Sequence, residues 1–377
     1  MKIIKAEVFP FQIPMKGIFK TSRGVIGGAA SGRTVVLVKL TDEAGNVGWG
    51  EGSPSRLWSS ETMETVVSTL EKYLIPAIIG RTADDFAGLH HAMNAVIAPA
   101  FSAAHPIAKS AIDIAVHDLV GKARGVSVAK LWGYEPAQEA VLSWTASAAD
   151  LDALKSSVAE GLDNGYENFN LKLGVNPSFD IMQCNYVKEK VPDGYLWGDA
   201  NGGYALHDIM RILPELERSG LDFLEQPLAS NQLKDLAAIK QRIHIPLGVD
   251  EPIATPRDLM EWIRHDLITA YVSKPSRNSG LFMSRICMEM AQYTPLMIIC
   301  SGLTETGVGL AANLQLACAF GITKPCAWNG PQFLEDDILE QPFEVKGGKI
   351  AFPAGAGLGI AVDEQKVRHL AARERGK

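Results

Sequence analysis

The chain has no apolar run near the ~18 residues needed to cross a bilayer, so a membrane-spanning role is not expected. Its start, MKIIKAEVFPF, lacks the long apolar core of a secretory signal, and a cytoplasmic location is expected. Cysteine is scarce. The five cysteines, at 184, 287, 300, 318 and 326, are odd in number and include no CxxC pair, which argues against a disulfide framework and for free thiols in a reducing compartment. Positive charge is also short: 36 Lys and Arg against 43 Asp and Glu leave a net charge of −7, so neither nucleic acid nor an anionic membrane is expected as a partner. The glycine-rich stretch GGAASG at 27–32 is not followed by GK[ST], and reads as a mobile loop rather than a phosphate cradle.

What is present is ordinary globular composition, 47% hydrophobic and 21% charged, in 377 residues, enough for two domains. The first ~50 residues read as strands. TVVLVKLTDEAGNVGWGE (34–51) is a hairpin about Glu43-Ala44-Gly45-Asn46. In 107–125, Ile112, Ala115, Val116 and Leu119 share one helical face and Gly125 is a stop. His117 on that helix reads as structural. Residues 1–130 are therefore expected to form an α+β domain. From about 138, short strands alternate with helices: 140–148, 168–174, 195–203, 221–227, 245–252, 268–276, 296–305 and 326–331. Eight βα units predict a (β/α)8 TIM barrel over 131–345, with ligands at the C-terminal ends of its strands. A last hairpin, FEVKGGKIAFP, begins the segment 346–377, which is expected to return to the N-terminal domain.

Five charges fall near successive predicted strand ends. Lys172, Asp199, Glu225, Asp250 and Lys274 are separated by 27, 26, 25 and 24 residues, about one βα unit each. A lone acid at a strand end is usually a helix cap or loop ion pair. Three on consecutive strands would repel unless a cation lay among them. Oxygen donors without His or Cys suit Mg2+, with Mn2+ as the alternative, rather than zinc. Such an ion beside a substrate carboxylate favours loss of the α-proton as an enediolate. Lys172 and Lys274 flank the acids and could exchange that proton, provided metal and desolvation lower the ordinary amine pKa of ~10.4. Asn201 and Glu251 follow two of the acids and, with Asn170, could contact substrate or support the residues that do. Ser301, Thr304 and Glu305 end the seventh strand and could bind substrate. Gly307 and Gly309 open the next helix, whose N-terminus could receive a carboxylate.

GDANGGY (198–204), FLEQP (223–227), VDEP (249–252) and SKPSRNSG (273–280) resemble the enolase superfamily, in its muconate-lactonizing (muconate cycloisomerase) subgroup. AIDIAVHDLVGKARGVSVAKLWG (111–133), TETGVG (304–309) and GAGLGIAVDE (355–364) extend the resemblance along nearly the whole chain. It implies a modified, enolase-like barrel capped by the N-terminal domain. It also implies Asp199, Glu225 and Asp250 as Mg2+ ligands and Lys172 and Lys274 as acid/base pair, since enolase-superfamily sites join a Lys or His base to Mg2+. The loop near 20–30 and Ser53–Trp58, Trp58 included, would set specificity for a small-molecule carboxylate, in a homo-oligomer. Two positions depart from the subgroup: Asn170 replaces the first lysine of Lys-x-Lys, and Ala327 replaces a glutamate three residues before the Gly-Pro of strand eight. Residues 291–310 contain no histidine, unlike sugar-acid dehydratases and mandelate-type racemases. The implied function is a muconate cycloisomerase-like isomerase. The alternatives are a racemase, epimerase or dehydratase of an amino-acid derivative (dipeptide, N-acyl amino acid or hydroxyproline type) and, more remotely, a non-catalytic barrel.

Overall fold

A computed structural model of the chain describes residues 1–99 and 103–376. Its N-terminal sheet is antiparallel, in the order β1 (Ile3–Ile13), β4 (Arg33–Asp42), β5 (Val47–Gly52). Between β1 and β4 lies a small hairpin, β2 (Phe19–Thr21) with β3 (Gly24–Gly27). The expected turn at 43–46 joins β4 to β5, with the Asp42 carboxylate accepting from the backbone of Ala44 and Asn46 at 2.9 and 2.8 Å.

The helix Pro106–Arg124 ends as expected at Gly125, a left-handed cap with φ 69°. It lies directly on β5, and the sequence VGWGEG explains how. Gly48, Gly50 and Gly52 share one face of the strand. A Cβ at Gly48 or Gly50 would fall inside van der Waals contact of the carbonyls of Ala115 or Ala111. One at Gly52 would stand 2.9 Å from the Ile107 carbonyl. Backbone thus packs on backbone, and Ala108, Ala111 and Ala115 of the helix are fully buried.

The second unit is a ring of parallel strands: β7 (Trp144–Ala146), β8 (Phe169–Lys172), β9 (Leu196–Asp199), β10 (Phe223–Glu225), β11 (Leu247–Val249), β12 (Ala270–Ser273) and β13 (Met297–Cys300), hydrogen-bonded in sequence order. The expected eighth strand is only two residues. Cys326 bridges to Leu142 and Ala327 to Ser301, through Cys326 N to Val141 O at 2.8 Å and Ala327 N to Cys300 O at 3.0 Å. Pro325 before it and the turn into Gly330–Phe333 after it restrict its length. The ring is closed all the same, giving a modified TIM barrel with a separate N-terminal domain. Trp197, Phe223, Val272, Ile299 and Ala327 fill its interior.

Two expectations are corrected. The strand expected over 140–148 is broken: β6 (Glu139–Val141) leaves the ring, and only β7 joins it. The terminal hairpin, β14 (Val345–Lys346) with β15 (Lys349–Ala351), pairs with β6 rather than with the N-terminal sheet, because β6 offers a free edge where the chain enters the barrel. The final helix, Glu364–Arg375, does reach back, with Lys39 bonding Glu364 at 2.7 Å and Arg375 donating to the Val8 carbonyl at 3.0 Å. All five cysteines are free and buried. His117 bonds the Asp113 carbonyl at 2.8 Å and stacks on Phe86. No helix among the described residues is long and apolar enough to cross a membrane.

Glu51, at the end of β5, joins the two units. Its carboxylate accepts from Thr306 N (3.0 Å), Thr306 Oγ1 (2.6 Å) and Gly309 N (2.9 Å), at the start of the helix Gly307–Ala319. The carboxylate expected on this helix end is therefore the protein's own. Burial pushes the Glu51 carboxyl up to about 7; Glu305 adds to the shift, while Thr306 and Ser53 hydrogen bonds oppose it.

Two stability predictions follow from these contacts. Gly50→Ala should cost about 3 kcal/mol or more in urea unfolding, because the helix must move off the strand. Gly45→Ala, with φ 85° and open space around its Cβ position, should cost only about 1 kcal/mol. Equal losses would refute the close-approach account. For Glu51, the folded state holds its proton more tightly than the unfolded chain. Its contribution is therefore complete below about pH 4.5 and lost as pH rises towards 7, by up to about 3 kcal/mol. Unfolding midpoints of Glu51→Gln should fall less steeply over that window than those of the parent; parallel slopes would exclude it.

Candidate active site

In β8, FNLK, alternation turns Phe169 and Leu171 to one side and Asn170 and Lys172 to the other. Strand register then aligns the charges. Lys172 pairs with Asp199, Asp199 with Glu225, and Glu225 with Gly248, two residues before Asp250. Lys274 follows the end of β12. In a ring of eight, β8 and β12 are four positions apart, so the two lysines come from opposite walls. The three strands between them carry the three acids.

The acids are buried, with 3%, 1% and 0% exposure for Asp199, Glu225 and Asp250. Each has a partner. Lys172 Nζ is 2.6 Å from Asp199 Oδ2. Asp250 receives Lys274 on one oxygen and Arg277 on the other. Glu225 Oε2 accepts from the Trp197 indole at 2.7 Å, while Oε1 has no partner. The electrostatics follow. Burial, then the charges of Asp199 and Asp250, push the Glu225 carboxyl well above its usual range. Burial also raises Asp250, but Lys274 and Arg277 outweigh it and hold that carboxyl low. Burial works against charge on Lys172, but Asp199, Glu225 and Asp250 together raise its pKa.

The N-terminal unit roofs this floor. The Phe19 ring stands 5.8 Å from Lys172 Nζ and the Trp58 ring 4.6 Å from Lys274 Nζ, so each ammonium faces an aromatic face. The tip of the β2–β3 hairpin docks on the barrel. Ser22 Oγ donates to the Ala200 carbonyl at 2.8 Å, Arg23 Nε to the Asn201 carbonyl at 3.0 Å, and Arg23 reaches Glu251 at 3.4 Å. Burial, with Asp250 and Asp199, raises the Glu251 carboxyl to about 7, partly offset by Arg23.

The pocket between floor and roof brings together Lys172, Lys274, Asp199, Asn170, Asn201, Trp58, Ser301 and Thr304 from the residues expected by sequence. Glu225 and Asp250, both buried, do not line it. Glu251 and Glu305 do not line it. Glu305 instead accepts from Leu303 N at 2.7 Å and Ser276 Oγ at 3.1 Å, bracing the loop that carries Thr304. Sequence reasoning missed Phe19, Thr145, Asn329, Arg33 and Arg277. The first four come from segments with no charge rhythm to mark them. Arg277 was in plain view three residues after Lys274. It also donates to the carbonyls of Asp250 (2.5 Å) and Val272 (2.6 Å).

Among the described residues, no three acids, histidines or cysteines stand arranged about one metal position. Lysine and arginine instead sit on oxygens of Asp199 and Asp250. The donor set still fits Mg2+: three buried carboxylates on adjacent strands, all oxygen, one with an unpartnered buried oxygen and a pKa raised by the other two.

Comparison with known proteins agrees with this geometry. Residues 4–133 match the Mandelate racemase / muconate lactonizing enzyme, N-terminal domain, and residues 153–366 match the Enolase C-terminal domain-like family. The chain is 31% identical to N-succinylamino acid racemase of Thermus thermophilus, over 96% of this chain and 95% of that one. It superimposes on 2-chloromuconate cycloisomerase of Rhodococcus opacus 1CP with a TM-score of 0.90 and 25% identity, covering 98% and 99% of the two chains. A dipeptide epimerase from Cytophaga hutchinsonii, solved with Mg and the dipeptide D-Ala-L-Val, shares the fold with a TM-score of 0.90 at 23% identity, covering 98% of each chain. The chain belongs to the muconate-lactonizing subgroup of the enolase superfamily, a family of isomerases.

Proposed function

We propose that the protein transfers a proton on the carbon next to a substrate carboxylate, using Lys172 and Lys274 from opposite sides, and that the net reaction is racemisation or epimerisation. The observation carrying this reading is that two lysines from opposite walls of one barrel line the same pocket, each beside a different carboxylate. Bound by Asp199, Glu225 and Asp250, Mg2+ would supply positive charge that acidifies the α-carbon and favours neutral lysines. Lys172 Nζ or Lys274 Nζ takes the proton from one face. The opposite Nζ delivers one to the other face, so configuration inverts. Phe19 and Trp58 keep water from both amines and hold them in place. Ser22 and Arg23 fasten the hairpin carrying Phe19 to the barrel loops.

Cycloisomerisation of a muconate-type diacid is the second reading, favoured by the similarity to chloromuconate cycloisomerase. Against it, residue 327 is alanine, and among the described residues lining the pocket no cation is free for the diacid's second carboxylate. Arg33, which reaches the pocket, gives Nε, Nη1 and Nη2 to the carbonyls of Leu303, Pro54 and Ser53 at 2.9, 2.6 and 2.8 Å. A dehydratase would share the first proton abstraction.

Incubation with carboxylates in D2O, followed by NMR, separates these outcomes. Exchange with inversion is expected; deuterium on a single face of a lactone would favour cycloisomerisation instead. Lys172→Ala and Lys274→Ala should each lower kcat about 10²- to 10⁴-fold, and full turnover in either removes that lysine from the reaction. Mg2+ at 100 times its Kd should stabilise the folded chain by about 2.7 kcal/mol. That gain, read as a higher melting temperature, should disappear in Glu225→Gln; a gain preserved there would place the ion elsewhere.

A further inference from the structure

We infer that Asn170 binds the substrate. Its carboxamide forms a subsite for an uncharged group that both donates and accepts hydrogen bonds, a hydroxyl or an amide, carried near the carbon that faces Lys172. The inference rests on the proton-transfer reading for the placing of that carbon.

Asn170 is completely buried, yet neither its carboxamide nitrogen nor its oxygen has a hydrogen-bond partner within the protein. Native proteins rarely leave buried polar groups in that state. It stands two residues before Lys172, on the same face of β8, so it lies about 7 Å deeper along the same pocket wall. Its neighbours do not compete for it. Thr145, level with it on β7, accepts from Asn329 at 3.4 Å, and Thr304 donates to Asn329 at 2.8 Å. Trp197, level with it on β9, gives its indole N–H to Glu225. Ala327 nearby is apolar.

The charge on this wall narrows the ligand. Thr145, Asn170, Asn329 and Thr304 are all neutral, and Asp199, the acid among the described lining residues, is already paired with Lys172, so a substrate ammonium would meet no free counter-ion there. A carboxamide offers one acceptor and two donors. Its complement is a group with both roles. A site built to bond such a group rejects analogues that lack it, because its own polar atoms are then left unpaired.

The test uses the Mg2+-loaded full chain and four acids on one carbon skeleton: 4-methylpentanoate, 2-hydroxy-4-methylpentanoate, N-acetylleucine and leucine. By calorimetry, the hydroxy acid or the N-acetyl compound should bind at least tenfold more tightly than 4-methylpentanoate and leucine. Which of the two leads separates hydroxyl from amide. Asn170→Leu, with the same branching and no polar atoms, should abolish the preference and bind 4-methylpentanoate at least as tightly as the parent does. Asn170→Asp, the same shape with a charge, should shift the preference to leucine. Equal affinities in the parent chain, or an equal loss for all four acids in Asn170→Leu, would overturn the inference. Deuterium exchange on the same acids separates it from the reading beneath it. Binding preference without any exchange would sink proton transfer and spare the subsite. Exchange without preference would do the reverse.

Discussion

Three carboxylates buried side by side are the constraint around which the molecule is organised. Asp199, Glu225 and Asp250 repel one another at the mouth of the barrel, and burial strengthens that repulsion. Lys172, Lys274 and Arg277 offset it, and the indole of Trp197 takes one further oxygen. Glu225 stays under-compensated: its pKa is pushed up by its two neighbours and one of its oxygens is unpaired. A divalent cation and the flanking ammonium groups are alternative answers to one electrostatic problem. This is why acids and amines occur together on five consecutive strands.

The N-terminal unit covers the open end of this site, with Phe19 over Lys172 and Trp58 over Lys274. It reaches the barrel at several places. Glu51 caps the helix after strand seven, Arg33 gathers carbonyls from both units, and the β2–β3 hairpin bonds the loop after Asp199. The last two bring aromatic rings over the lysines. The rest of the pocket wall carries neutral side chains, Thr145, Asn170, Thr304 and Asn329. In the proposed reading, charged residues serve the chemistry next to the carboxylate and neutral ones the recognition of the rest of the substrate. The family shares the first, while Asn170 and Ala327 mark this chain's version of the second.

Much of the plan was legible in the sequence because it is periodic. The alternation of FNLK and the near-constant spacing from Lys172 to Lys274 record the βα repeat directly. The alternate glycines of VGWGEG record a helix lying on a strand, although that meaning emerges only once the helix is seen above them. The strand expected at 140–148 failed because one apolar run serves two sheets in succession. The terminal hairpin was recognised, but its partner was not. A strand's pattern shows that it has a buried face and says nothing of which edge it meets.

The sequence by itself determined the barrel, its five charged positions and the order in which they stand, since each depends on spacing along one chain. Only the tertiary structure decided which of them reach the pocket. Glu305 and Glu251 turned away from it, while Phe19, Arg33, Thr145 and Asn329 entered from distant segments. It also revealed that Asn170 is buried without a partner. Those outcomes depend on side chains that converge across the ring and between the two units, and such convergence leaves no period in the sequence.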